Sequence, residues 1–256
     1  MTPEKAVAST VALLHLAPRP GDIPYNKRLV EDAVRRAAAM GAKFVVTPEL
    51  IMSGYGFRDR IGTAWIARDQ PALLAWAGEL ARQASVFLLL GTPEADGRLF
   101  NSQILFAADG ARSGHHRKIM VLKTGSESWS TAGDRATVIA VDGIGRLGLF
   151  VCADMYSKRL VDETVAQGVD LLLSSAAWAP GEHGPNGEWE RASLDTGRPV
   201  LVCNRTGEDA MDFRGSQSVA AVDGRIVSSH SSRQSAIVLV DWTLSTRQLA
   251  NWRVVQ

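Results

Sequence analysis

Apolar positions along this chain follow two alternating periods. "STVALLHL", residues 9–16, is a nearly unbroken apolar run of strand length. "NKRLVEDAVRRAAAMG" then puts Leu29, Val30, Ala33, Val34 and Ala37 on one helical face, with Asn26 expected as N-cap and Gly41 as stop. "KFVVTPEL" reads as a short buried strand ending at a proline. "PALLAWAGELARQAS" reads as a helix with Pro71 in its first turn, and "VFLLLG" as another buried strand.

The middle of the chain changes style. "RLFNSQILFAADGARSGHHRKI" predicts two strands around a turn at Asp109-Gly110, and "RATVIAVDGIGRLGLFVC" repeats the pattern around Asp142-Gly143. Beyond it, "RLVDETVAQG" and "GEWERASLDTG" are helical, while "VDLLLSS", "PVLVCN" and "SAIVLVD" are strand-like. "GSQSVAAVDGRIVSS" is a hairpin about Asp223-Gly224. Helix–strand pairs mixed with hairpins predict an α/β fold with mixed sheets and helices on the outer faces. The polar run "TGSESWSTAGDRA" lies between strands and is the best candidate for a long functional loop.

Composition narrows the partners. The chain has 256 residues, 46% of them hydrophobic and 21% charged, with a formal net charge of +1. No linker, repeat or low-complexity stretch interrupts it, so a single domain over residues 1–256 is expected. No long basic or acidic run marks a nucleic-acid surface. No apolar run approaches the ~20 residues of a membrane span. The opening "KAVASTVALLHLA" faintly resembles a leader but reads equally as a first strand, and a cytoplasmic protein is the expectation. Two cysteines cannot build a disulfide framework and are expected as free thiols. No metal-binding or phosphate-cradling motif occurs, so no metal and no cofactor is expected and side chains alone must carry the chemistry.

Reacting groups in α/β folds gather at the carboxyl ends of strands. Three residues stand there: Glu49 after "KFVVTP", Lys118 after "GHHR" and Cys152 after "LGLFV". A cysteine so placed is either a small core residue or a nucleophile, and a nucleophile needs a base. Cys203 in "VLVCN" has the same look and is read as core. None of His15, His115, His116, His183 and His230 is coupled to Cys152 by local sequence, His15 being read as a core residue. Glu49 is the alternative base, since a partly desolvated carboxylate is suited to proton exchange with a thiol. Lys118 could hold negative charge developing on a substrate oxygen, or simply guard a strand edge.

"VVTPELIMSGY", "HHRKI" and "GLFVCADM", in this order, resemble the three blocks of the carbon–nitrogen hydrolase (nitrilase) superfamily. The resemblance extends over nearly the whole chain. It implies a four-layer α-β-β-α sandwich with two mixed sheets, usually paired as a homodimer. It also implies a triad with Glu49 as general base and acid, Lys118 as stabiliser of the tetrahedral intermediate and Cys152 as nucleophile. Glu127, ahead of Gly133-Asp134, best matches the family's second glutamate. The Ala153 backbone N–H is expected in the oxyanion site, Trp178 and Trp129 in the pocket, and Asn204 near it. Where many relatives carry Pro-Glu this chain has Lys158-Arg159, which alters the pocket rim or a subunit contact. The implied activity is hydrolysis of a small-molecule amide through a thioester; the alternatives are an N-carbamoyl-compound hydrolase, a nitrilase, an acyltransferase or a non-catalytic scaffold.

Overall fold

The computed structural model describes residues 8–123 and 125–256. In chain order the elements are β1 (Ser9–His15), α1 (Ile23–Ala39), β2 (Ala42–Val46), α2 (Arg58–Ile61), α3 (Trp65–Ala84), β3 (Phe87–Asp96), β4 (Arg98–Phe106), β5 (Arg112–Arg117), β6 (Thr137–Val141), β7 (Gly145–Val151), α4 (Lys158–Ala166), β8 (Leu171–Ala176), α5 (Glu188–Thr196), β9 (Val200–Asn204), β10 (Ser218–Val222), β11 (Arg225–His230), β12 (Ala236–Thr243) and β13 (Gln248–Val255). They form two sheets, ordered β13-β12-β1-β2-β3-β4-β5 and β11-β10-β9-β8-β7-β6. Each is mixed: β1-β2-β3 and β7-β8-β9 run parallel, and hairpins flank both parallel centres.

Strand alternation explains the layering. Val11 and Leu13 of β1, with Phe44 and Val46 of β2, meet Leu147 and Leu149 of β7 and Leu171 and Leu173 of β8 between the sheets. The intervening Ala12, Leu14 and Val45 turn outward onto α1 and α3, packing with Val30, Val34, Ala77 and Leu80. Phe150, Leu172, Val200 and Val202 face α4 and α5 on the other side, against Leu160, Val161 and Trp189. The result is the expected α-β-β-α sandwich. Each fully buried Leu or Val in it contributes about 1.5–3 kcal/mol of transfer free energy.

Local signals met tertiary ones at three places. Asp22, not Asn26, caps α1: its carboxylate accepts Tyr25 N–H at 3.0 Å. Asn26 lies within the helix, fully buried, and donates to the carbonyls of Arg19 and Met52, so it ties two loops to the helix instead of capping it. Pro71 is inside α3, because the helix starts six residues earlier at Trp65. The strand β13 was not anticipated; it is a mostly exposed edge strand whose pattern lacks a clean apolar face.

Candidate active site

The parallel centres of both sheets deliver their carboxyl ends to one place. Chain leaving β2 reaches Glu49, chain leaving β5 reaches Lys118, and chain leaving β7 reaches Cys152. The backbone bends sharply at two of these exits. Cys152 sits at φ 47° and Leu50, directly after Glu49, at φ 51°, in the left-handed region that non-glycine residues seldom occupy. Such conformations persist only where the surroundings enforce them, and they gather at functional sites. Gly91 of β3 permits the Glu49 turn: a Cβ there would come within 2.2 Å of the Pro48 carbonyl oxygen.

Glu49, Lys118 and Glu127 form one buried cluster. Lys118 Nζ donates to Glu49 Oε1 at 2.8 Å and to Glu127 at 2.8 Å, and all three side chains are at most 1% exposed. Asn101, on β4, bridges the two carboxylates through its amide nitrogen, at 2.7 Å from Glu49 and 2.8 Å from Glu127. Glu49 Oε2 accepts the Ala177 N–H at 2.9 Å. Its two oxygens therefore meet three donors, which leaves lone-pair capacity free on Oε2. The Cys152 thiol is 8% exposed, with Sγ 3.9 Å from the Ala177 carbonyl oxygen.

Burial dominates the electrostatics. It pushes the Cys152 thiol well above the ordinary cysteine value, and the charge of Glu49 adds to that. Burial also raises the Glu127 carboxyl; attraction to Lys118 opposes this and repulsion from Glu49 reinforces it. Burial alone would lower Lys118, but Glu49 and Glu127 together outweigh it and hold the ammonium charged well above its usual range. Burial thus favours the protonated thiol, and the two neighbouring glutamates favour the charged ammonium.

A second layer fixes the register of these groups. Asp154 lies in the turn that begins at Cys152. Its Oδ1 accepts Ile119 N–H at 2.9 Å and Met120 N–H at 2.7 Å; its Oδ2 accepts Val151 N–H at 2.9 Å and His116 Nε2–H at 3.0 Å. His116 Nδ1 meets the Thr137 hydroxyl at 3.0 Å. One carboxylate therefore joins the residues following Lys118 to the residue preceding Cys152. Asn204 pins the backbone of Trp178, accepting its N–H and donating to its carbonyl, each at 3.0 Å.

Cys152 opens onto a cavity of about 560 Å³ whose walls include Tyr55, Ala153, Tyr156, Ala177, Trp178 and Met211. Ala153 and Trp178, both expected at the site, line this cavity. Trp129 is not: it is absent from the cavity wall, and its ring packs edge-on against Phe57 with centroids 5.1 Å apart. The indole follows Glu127 by two residues and packs in the apolar clusters around Phe57 and Tyr55, its Nε1 having no hydrogen-bond partner among the described residues. Lys158 and Arg159 also lie off the cavity wall, exposed and paired with Asp162 and Glu163 one helical turn along α4. Cys203 is fully buried between the sheets, 3.2 Å from the Val46 carbonyl oxygen. A separate polar hollow near β5 holds Arg112, His115 and Arg117, which already face Glu94 and Asp96.

The carbon–nitrogen hydrolase family model matches residues 10–251. The chain belongs to the carbon–nitrogen hydrolase family. A hydrolase from the pqqF 5′ region of Pseudomonas protegens is 28% identical over 220 residues, spanning 84% of this chain and 76% of that protein. A nitrilase of Pyrococcus abyssi is 25% identical over 231 residues, spanning 89% and 87%. An amidase of the nitrilase superfamily from Nesterenkonia sp. AN1 superposes with a TM-score of 0.84 at 23% identity, covering 95% of this chain and 94% of that one. The fold is therefore that of the nitrilase superfamily, and the protein is a carbon–nitrogen hydrolase. Sequence reasoning had missed Asn101, His116 and the joint hold of Asp154. Only the "FNSQ" run, polar within a strand, offered a signal for Asn101.

Proposed function

We propose that this carbon–nitrogen hydrolase is a thiol-dependent amidase. The observation that carries the reading is the buried Glu49–Lys118–Glu127 cluster meeting Cys152 at the floor of an apolar cavity. Free lone-pair capacity on Glu49 Oε2 and a thiol kept protonated by burial make a matched base and nucleophile. As Sγ bonds to the amide carbonyl carbon, its proton passes to Glu49. The carbonyl oxygen becomes an oxyanion, met by Lys118 Nζ and the Ala153 N–H. Glu49 then hands the proton to the amide nitrogen, the C–N bond breaks, and ammonia leaves a thioester on Cys152. Water attacks the thioester carbon and gives one proton to Glu49. The C–S bond breaks, the carboxylic acid departs, and Glu49 returns the proton to the thiolate. Overall, one amide and one water give one acid and one ammonia.

Glu127 and Asn101 hold Lys118 and Glu49 rather than touching the reacting atoms in this scheme. Solved forms of the Nesterenkonia amidase carry the acetamide moiety of fluoroacetamide covalently on its active-site cysteine, which supports assigning the same role to Cys152. The test is ammonia release from a panel of primary amides, N-carbamoyl compounds and nitriles, with folded Cys152→Ala as control. Release from amides alone, absent in the control, supports the proposal; release from nitriles or carbamoyl compounds with silent amides refutes it. The reading also includes a single catalytic domain that pairs as a homodimer, so sedimentation at twice the 27.6 kDa chain mass is expected.

A further inference from the structure

Resting on the amidase reading, we propose that the cavity selects uncharged amides with a large apolar acyl group, aryl or arylalkyl, over small amides and over amides that carry a distal carboxylate. Its volume of about 560 Å³ is within the range of pockets that enclose drug-sized molecules, far more than an acetyl or propionyl group fills. Among the described lining residues there is no Asp, Glu, Lys or Arg to pair a substrate charge. A carboxylate entering such a wall would exchange its hydration for at most Ser126 and His183, with no Lys or Arg to pair its charge. Glu49, Glu127 and Lys118, none of them among those lining residues, are already paired with one another.

The walls are built to present apolar faces. Tyr156 Oη and Trp178 Nε1 both donate to a single acceptor, the His183 carbonyl, the indole at 3.0 Å. That contact takes up the polar ends of both side chains. Their rings stand edge to face with centroids 4.9 Å apart, and Trp189 braces Trp178 from behind at 5.5 Å. A third ring arriving in the cavity meets the same edge-to-face geometry. At the mouth, Leu122 is 50% exposed, Tyr156 44% and Met211 43%, although all three are large and apolar. A long apolar acyl group would cover these three side chains, and a short one would leave them in water.

The experiment pairs binding with turnover. Ligand-observed NMR titrations of the Cys152→Ala protein use phenylacetamide, propionamide and succinamate, and ammonia release by the unaltered enzyme is followed on the same three. Phenylacetamide is expected to bind about tenfold or more tighter than the others, with kcat/KM roughly 100-fold above succinamate. Tighter or equal binding of succinamate or propionamide, or no binding of phenylacetamide, overturns the proposal. Selective binding of phenylacetamide without ammonia release supports the cavity assignment and overturns the amidase reading, so the two fail separately. Met211→Lys places a cation on the exposed rim. It is expected to raise the succinamate-to-phenylacetamide ratio of kcat/KM about tenfold, and an unchanged ratio counts against the proposal.

Discussion

Asp154→Asn tests whether one carboxylate sets the distance between Lys118 and Cys152. The change keeps the shape and replaces one oxygen by an amide nitrogen. If the remaining oxygen stays on Ile119 and Met120 N–H, the new NH2 faces Val151 N–H and His116 Nε2. His116 can adapt by changing tautomer, accepting at Nε2 and donating from Nδ1 to the Thr137 oxygen. Val151 N–H cannot adapt and is left buried without an acceptor, at a cost of about 1–3 kcal/mol. The two bonds kept by Ile119 and Met120 lose their charge assistance, about half their strength, or about 1–2 kcal/mol more. The expected loss is about 2–5 kcal/mol, or about 5–15 °C in Tm for a chain of this size. Because the orphaned group immediately precedes Cys152, the side chain proposed as nucleophile should move. A displacement near 1 Å lowers kcat by about 10²-fold with little change in KM. Thermal unfolding and steady-state ammonia release measure both. A fall in Tm with kcat intact would show that Asp154 holds the fold but not the register of Lys118 and Cys152. No change in either would show that these hydrogen bonds carry no weight.

Three further outcomes follow from the same structure. Because burial and Glu49 push the Cys152 thiol up, iodoacetamide should alkylate it more slowly than a free cysteine at pH 7 and faster as pH rises past 9; peptide mapping that shows rapid alkylation below pH 7 would contradict this. His15 is pulled from 6.5 to about 4 by burial, with His230 adding to it. A depressed histidine stabilises the fold above its unfolded value and loses that contribution as pH falls, so about 3 kcal/mol should disappear between pH 6.5 and 4. Urea midpoints at pH 7 and 4.5 measure the loss, and a His15 ring titration by NMR with a midpoint near 6.5 would refute it. Asp209 accepts Tyr55 N–H at 2.8 Å and Gly56 N–H at 2.7 Å and pairs with the fully buried Arg205. Asp209→Ala strands that guanidinium and should cost about 3–5 kcal/mol, with KM for phenylacetamide rising more than kcat falls; an unchanged Tm would count against the pairing.

The residues legible in the sequence share one property: local context marks them. Glu49 and Cys152 each follow an apolar run and Lys118 a strand-like stretch ending in "GHHR", so strand-end logic finds them before any geometry is known. The Asp-Gly turns at 109, 142 and 223 were legible for the same reason, since their chemistry is complete within two residues. What stayed hidden depends on partners far along the chain. Asn101 reaches Glu49 across 52 positions, and Asp154 reaches His116 across 38. Asn26 has the composition of a cap, but Met52 and Arg19 claim its amide. Trp129 was expected in the pocket, yet its ring packs in the apolar clusters around Phe57 and Tyr55 and is absent from the cavity wall.

These long-range contacts explain why the cluster can be buried at all. An isolated buried ammonium or carboxylate is costly, and removing one partner of a buried pair costs several kcal/mol. Here Lys118 lies between two carboxylates, Asn101 ties those carboxylates together, and Ala177 N–H takes a further Glu49 lone pair. The direction left open on Glu49 Oε2 is the one a thiol proton can use. A thiol of ordinary acidity would already lose protons to water at mildly alkaline pH. On the proposed mechanism, one raised by burial gives its proton up chiefly as the C–S bond forms and Lys118 meets the new oxyanion. In that scheme the burial that pushes the Cys152 thiol up also couples its activation to a carbonyl seated in the apolar cavity.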